Sequence, residues 1–193
     1  EIGSGLVGSE MCIRDSDMPI QHASDKILKA MGRRTNNAEL RNIISKLRKE
    51  IPDICLRTTL ITGFPGETEE DHHILLDFID EMEFDRLGVF TYSPEEDTKA
   101  ASLDNQVDEE VKLCRKDEIM ELQQEISMDK SERLVGKEFE VIIEGKASDE
   151  DVYVGRSYMD APSVDGYVFI NSEEELMSGD FAKVRTVLSL IHI

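Results

Sequence analysis

The spacing of apolar residues changes once along this 193-residue chain, near Val135, and that change constrains the fold more than any other feature. Before it, β-rich runs, the first over residues 18–23, alternate with helical stripes, which predicts right-handed crossover units on a parallel sheet. Three such units do not close a barrel, so this part is either a small open sheet or part of a larger barrel. After it, short strands separated by Gly, Asp and Pro turns predict a small antiparallel barrel.

Boundary signals place four helices in the first part of the chain. Ser24 is the predicted N-cap of a short first helix, and Gly32 is its C-terminal stop. Asn36, with a glutamate three positions later, begins the second helix as a capping box. Thr68 caps the third helix, and the fourth runs from about residue 108 to residue 134.

Neither end of the chain has the periodicity of a helix or a strand. Residues 1–16 and 189–193 resemble translated adapter sequence, and we expect both segments to be non-native. A disordered lead and a final strand are the alternative interpretation. The two predicted domains then cover residues 17–134 and 135–188.

Charge and cysteine usage limit the classes of partner and the compartment. The chain has 42 acidic and 22 basic residues, a net charge of −20, which disfavours phosphate backbones and favours basic protein partners. No apolar run is long enough to cross a membrane. The three cysteines, at positions 12, 55 and 114, are too far apart for a zinc site, and with no secretion signal they indicate a reducing cytoplasm. We interpret Cys55 and Cys114 as packing residues.

The stretch GFPGE lies between a predicted strand and a predicted helix. Gly63 ends the strand, and Gly63 and Gly66 let the backbone approach a ligand because neither carries a Cβ. Pro65 holds the turn, and the helix N-terminus behind it offers free N–H groups. The Lys-Ser/Thr pair of a phosphate-binding loop is missing. From these residues alone, a plain strand-to-helix turn is as good an interpretation as a ligand site.

Polar side chains follow or occupy the other strands and point to the same edge of the sheet. A lone His or Tyr at such a position is usually structural, but several together indicate a site. His72 and His73, which are adjacent on a helix and about 100° apart, cannot both face one metal, and we expect them to be solvated. The polar residues at strand ends or within strands are Gln21, His22, Ser24, Arg57, Thr59, Tyr92 and Ser93.

Four segments together resemble the radical-SAM methylthiotransferases. They are MPIQHASDKILKAMGRRT, CLRTTLITGFPGETEED, FDRLGVFTYSPEE and YVGRSYMDAPSVDG. The similarity covers residues 17–188 and is strongest to the members that modify an aspartate of a small-subunit ribosomal protein. It implies the back half of a radical-SAM partial (β/α) barrel, followed by a small, all-β, OB-like TRAM domain. The chain would then be a C-terminal fragment of such an enzyme.

The resemblance also implies cofactors. In the family, a [4Fe-4S] cluster held by a CxxxCxxC motif cleaves S-adenosylmethionine to a 5′-deoxyadenosyl radical, and a second cluster supplies the methylthio group. No CxxxCxxC occurs in this sequence, so we expect the chain to be inactive alone, with no metal ligands and no catalytic residues of its own. The residues implied to contact S-adenosylmethionine are Gln21, Ser24, Arg57, Thr59, Gly63, Pro65, Gly66 and Glu67.

The charge of the second domain helps to distinguish a protein target from an RNA target, because some relatives in the same family modify transfer RNA. Residues 134–186 hold five basic and twelve acidic residues, a net charge of −7, which offers little to neutralise phosphates. We therefore expect a basic small-subunit ribosomal protein to bind the acidic TRAM domain, and no RNA. A transfer-RNA enzyme and a non-catalytic binding module are the alternatives. A cluster-free S-adenosylmethionine enzyme would need a base or nucleophile that is not evident.

Overall fold

The computed structural model describes residues 14–147 and 152–188. The first part is a three-stranded parallel sheet in the order β1-β2-β3, with helices in the connections between its strands and a long helix after the last one. This confirms the predicted α/β arrangement. The elements are β1 (Asp15–Asp17), α1 (Asp25–Ala30), α2 (Asn37–Glu50), β2 (Cys55–Thr62), α3 (Glu69–Met82), β3 (Arg86–Thr91) and α4 (Glu109–Glu132).

The predicted helix starts are confirmed. Asn36 and Thr68 are N-caps whose side chains accept from the backbone three residues on, and both capping boxes are complete. Ser24 occupies the N-cap of α1 but makes no capping hydrogen bond. Gly32 follows α1 with φ +75°, the left-handed conformation that ends a helix without a Cβ clash.

The first strand differs from its prediction over residues 18–23. The ladder with β2 is regular only at Asp15–Asp17, and one isolated bridge joins Gln21 to Leu60 farther on. Met18 donates to the Arg57 carbonyl oxygen and Gln21 to the Thr59 carbonyl oxygen, so three steps along this segment span two steps along β2 and the regular register is lost. Asp15 and Ser16, placed in the predicted leader, thus pair with β2.

The two faces of the parallel sheet have different environments. Along β2, residues at even positions, such as Leu56 and Leu60, are buried against the helices, whereas Arg57, Thr59 and Ile61 on the other face are half-buried. Phe90, paired with Ile61, is 63% exposed on that second face. The core on the helical side contains Leu56, Leu60, Leu75, Phe78, Ile79, Phe84 and Ile119.

The second part is a four-stranded antiparallel sheet in the order β6-β5-β4-β7. Alternate residues of its strands form a small core, and the predicted all-β character is confirmed. The strands are β4 (Glu138–Lys146), β5 (Tyr153–Ser157), β6 (Val168–Ile170) and β7 (Phe181–Arg185), and the core holds Val141, Ile143, Tyr153 and Ile170.

A loop of the second part packs against the amino-terminal end of the parallel sheet. Asp165 forms an ion pair with Arg57, and Asp160 accepts from Arg86 at 2.7 Å. The Tyr158 hydroxyl donates to the Asp53 carbonyl oxygen at 3.1 Å. These contacts lie at the end of the sheet opposite to the GFPGE turn. Within residues 14–147 and 152–188, no helix combines the length and the apolar character needed to span a bilayer.

Candidate functional site

The turn after β2 requires glycine at two positions. Gly63 has φ +74° and Gly66 has φ +82°, both in the left-handed region. The Gly66 N–H donates to the Asn105 carbonyl oxygen at 2.8 Å, and the Glu67 N–H closes the turn on the Phe64 carbonyl oxygen at 2.9 Å. Thr68 then begins α3, so the turn leads directly into a helix N-terminus.

The Glu67 carboxylate lies beneath this turn and is fully buried. Its Oε2 accepts from the backbone N–H groups of Gly63 at 2.7 Å and Phe64 at 3.1 Å. Its Oε1 accepts from the Thr62 hydroxyl at 3.2 Å and from Arg115 at 2.9 Å. Glu67 thus ties the end of β2, the turn and α4 together.

The ionisation of Glu67 follows from these partners. Burial alone would raise the pKa of the carboxyl, but its contacts with His22 and the charge of Arg115, helped by the Phe64 N–H, hold the pKa below its usual value. His22 Nδ1 accepts from the Ser24 N–H at 2.9 Å, which assigns the ring proton to Nε2. That nitrogen lies 3.6 Å from Glu67 Oε2.

A second carboxylate, Asp71, joins the starts of α1 and α3. The Ser24 hydroxyl donates to Oδ1 and Lys26 donates to Oδ2, each at 2.6 Å, while Thr68 donates through its N–H and hydroxyl. Lys26 also donates to the Gly66 carbonyl oxygen at 2.8 Å. Burial would raise the pKa of Asp71, but these hydrogen bonds, the one from Lys26 foremost, hold it well below its usual range.

Helix α4 supplies two basic side chains that the sequence analysis did not single out. Arg115 reaches Glu67 and also pairs with Glu69 at 3.3 Å. The stem of Lys112 fills the space beside Gly63, where an added Cβ would lie 2.3 Å from the lysine Cγ. The Lys112 ammonium donates to the Tyr92 carbonyl oxygen at 2.9 Å. The missing Cβ of Gly63 therefore accommodates a lysine of the protein itself.

Gly66 has unfilled space around it, and Tyr92 has an unused hydrogen-bonding group. No heavy atom of the described residues lies within 4 Å of a Cβ built on Gly66. The Tyr92 ring packs edge-on against Phe64 at 5.2 Å, and its hydroxyl is buried with no hydrogen-bond partner among residues 14–147 and 152–188. Open space at Gly66 and an unsatisfied hydroxyl on Tyr92 are each compatible with a polar ligand.

The structure brings together only some of the predicted site residues. Gly63, Pro65, Gly66, Glu67 and Ser24 cluster around the turn, and Gln21 bridges to β2 with a left-handed φ of +73°. Thr59 lies on the face of β2 not covered by helices. Arg57 lies six residues before Gly63, about 20 Å away along the strand, and is paired with Asp165.

Two expectations about titratable side chains were wrong. His72 is buried, not solvated, because α4 packs there and Glu118 contacts its Nε2 at 2.8 Å. Cys114 is exposed, not packed, because it lies on the outer side of α4. His73 is 65% exposed and Cys55 is buried, as predicted, and burial raises the pKa of the Cys55 thiol to about 11.

Iron–sulfur clusters do not fit the described residues. The described part of the chain contains no group of three His, Cys, Asp or Glu side chains able to hold a metal. Cys55 contacts the Met159 carbonyl oxygen near the second domain, whereas Cys114 contacts Glu118 on α4. We therefore assign no cluster ligand to this part of the chain.

Comparison with protein families agrees with this architecture. Residues 15–79, which include β1, β2 and the turn, match the radical SAM superfamily, and residues 135–190 match the TRAM domain. The first part of the chain is therefore similar to radical SAM proteins, and its second part is similar to TRAM domains. The predicted fold class is therefore confirmed: part of a radical SAM α/β fold followed by a TRAM β-sheet.

Individual relatives show which kind of radical SAM protein the chain resembles. The chain is 60% identical over 168 residues to "Ribosomal protein uS12 methylthiotransferase RimO" from Lachnoclostridium phytofermentans, covering 87% of this chain and 38% of that protein. The protein of the same name from Acetivibrio thermocellus is 48% identical, and the match covers 97% of this chain and 41% of that protein. The one from Clostridioides difficile is 50% identical, and the match covers 88% of this chain and 38% of that protein. The resemblance to radical-SAM methylthiotransferases is thus confirmed, and the chain spans about two fifths of the length of these relatives.

Proposed function

We propose that this chain is part of a radical SAM enzyme that attaches a methylthio group to an aspartate of ribosomal protein uS12. The observation that carries the proposal is the identity of 48% to 60% to uS12 methylthiotransferases across almost the whole chain, through both the radical SAM and TRAM portions. A ribosomal-protein substrate also implies a cytoplasmic location.

We propose that the turn after β2 binds S-adenosylmethionine. Gly66 would let the ligand approach the backbone, and the unpartnered hydroxyl of Tyr92 would give it a polar contact. Gln21 and Thr59, on or beside β2, are further candidates for polar contacts, and Pro65 shapes the turn. Bound S-adenosylmethionine would supply the radical chemistry only together with a cluster, and the residues of this chain do not provide the cysteine motif that holds one. We therefore expect the chain to be inactive by itself.

A test of this site uses S-adenosylmethionine binding to the full 193-residue chain, measured by equilibrium dialysis. Tyr92→Phe removes one hydroxyl and should weaken binding about tenfold, the effect of losing one hydrogen bond in a buried site. Tyr158→Phe is the matched control, because its hydroxyl bonds Asp53 at the other end of the sheet. Equal affinities for all three proteins, or no binding by any of them, would contradict the assignment of the site.

The TRAM sheet carries a surface suited to a basic protein. Phe169 and Phe181 are 56% and 69% exposed, and their cross-strand partners Val154 and Ile142 lie on the same outer face. On β4, Glu138 and Glu140 share that face with Ile142, and Glu138 pairs with Lys183 and Arg185 of the neighbouring strand. An exposed apolar strip bordered by both carboxylates and basic side chains fits a partner that presents apolar side chains together with charged ones.

The target is tested by comparing the binding of recombinant uS12 and of transfer RNA to this chain. We expect uS12 to bind and transfer RNA not to bind, because this part of the chain has a net charge of −7. Phe169→Ser should weaken uS12 binding, whereas Val164→Ser, at an exposed apolar residue on the loop between β5 and β6, serves as the control. Preferential binding of transfer RNA would favour a transfer-RNA enzyme instead.

A further inference from the structure

Glu67 has no capacity left for a ligand. Its two oxygens accept four hydrogen bonds, from Gly63, Phe64, Thr62 and Arg115, and the side chain is fully buried. A carboxylate offers about four lone-pair sites, so these donors account for all of them. The carboxylate therefore acts on the turn and not on anything outside it.

Helix α4 reaches the ends of both long strands of the parallel sheet. Arg115, whose side chain is 7% exposed, bonds Glu67 just beyond β2. Lys112, whose side chain is 5% exposed, bonds the Tyr92 carbonyl oxygen just beyond β3, and its stem contacts Gly63. Two buried cations three residues apart on one helix thus hold the two strand ends at a set distance from α4.

His22 completes this arrangement from the other side. Because its Nδ1 accepts from the Ser24 N–H, its Nε2–H faces Glu67 Oε2 at 3.6 Å. His22 is fully buried and its Nε2 has no closer partner among the described residues. Glu67 is therefore placed between a full positive charge from α4 and an N–H dipole from the segment before α1.

We propose that α4 sets the conformation of the Gly63–Gly66 turn, with Arg115 and Glu67 acting as positioning residues that make no ligand contact. The inference rests on the proposed function, in which this turn binds S-adenosylmethionine. Arg115 lies behind the turn on α4, 48 positions from Glu67 in the sequence. Its loss nevertheless weakens ligand binding, because Glu67 loses its charged partner and then holds the Gly63 and Phe64 N–H groups less firmly.

The experiment compares amide hydrogen exchange at Gly63 and Phe64 by NMR in the full chain and in two Arg115 variants. Arg115→Met should accelerate exchange at both amides about tenfold or more, because Glu67 loses its charged partner. Arg115→Lys, which keeps the charge, should recover part of the protection. Arg133→Met is the matched control, since Arg133 pairs with Glu83 at the exposed C-terminal end of α4. S-adenosylmethionine affinity is measured on the same four proteins.

The two readouts separate this inference from the proposed function. Unchanged exchange at Gly63 and Phe64 in Arg115→Met would overturn the positioning role. Faster exchange with unchanged S-adenosylmethionine affinity would leave the positioning of the turn in place and refute the turn as the ligand site. If Arg115→Met does not fold, the pair E67Q/R115M removes both buried charges, and the same two amides are measured there; wild-type protection in that pair would equally overturn the inference.

Discussion

Replacing Gly63 by alanine tests whether the turn is packed against α4. The residue has φ +74°, where an L-residue costs about 1–2 kcal/mol. The new Cβ would also lie 2.3 Å from Lys112 Cγ, so the lysine must move away. Its charged hydrogen bond to the Tyr92 carbonyl oxygen, worth about 1.5–3 kcal/mol, is then lost. We expect Gly63→Ala to lower the free energy of unfolding by about 3–5 kcal/mol.

Gly66→Ala is the matched control for this substitution. Its φ of +82° carries the same backbone cost, but no heavy atom of another described residue, its two chain neighbours aside, lies within 4 Å of the new Cβ, so the loss should be only about 1–2 kcal/mol. Urea unfolding followed by circular dichroism at 222 nm measures both, because the four helices found in residues 14–147 and 152–188 precede the TRAM sheet. Adding Lys112→Ala to Gly63→Ala should cost less than the sum of the two changes. Equal losses for the two alanine variants, within about 0.5 kcal/mol, would refute the proposed packing.

Two further predictions concern charge. The pKa of Glu67 is lower in the folded chain than its usual 4.5, so the stabilisation from its carboxylate is present above that value and is lost as the pH falls through the folded pKa. The free energy of unfolding, measured from about pH 6 to pH 3, should therefore fall less steeply for Glu67→Gln than for the unchanged chain. Parallel curves for the two proteins would contradict this. Asp165→Asn removes the carboxylate that pairs with Arg57 and Arg86 between the domains, and it should lower the free energy of unfolding, measured by thermal unfolding, by about 1–3 kcal/mol. Glu138→Gln, at an exposed ion pair, is the control and should lower it by under about 1 kcal/mol. Equal losses for the two variants would count against a role of the loop in coupling the domains.

Local signals in the sequence predicted the elements of the fold well. The capping boxes at Asn36 and Thr68 depend on residues three positions apart, and Gly32 ends α1 through its own backbone preference. The strand predicted over residues 18–23 begins earlier, at Asp15, and loses its regular register after Asp17, because one extra residue lies between the hydrogen bonds of Met18 and Gln21 to β2. Helix caps and turns that depend on residues a few positions apart can therefore be predicted from the sequence.

The candidate site was only partly predictable, for a physical reason. The GFPGE turn is local, and its glycines were identified. Arg115 contacts Glu67 across 48 positions, and no local pattern specifies which helix packs behind a turn. A signal did exist in α4, where the buried positions are Lys112, Arg115, Ile119, Gln123 and Ile126. Three polar side chains in a buried helical stripe require buried partners, and that requirement points to a polar network.

The expectation that His72 is solvated was wrong for the same reason, because its partner lies on a distant helix. His72, Leu75 and Ile79 are spaced as i, i+3 and i+7, so all three lie on the buried stripe of α3. A histidine on such a stripe must find a polar partner, and α4 supplies Glu118, whose pKa is lowered by the hydrogen bond with His72. The same helix therefore provides the buried partners of both the turn and α3. Because α4 follows β3, the site at the end of β2 is complete only once the chain has extended beyond the third strand.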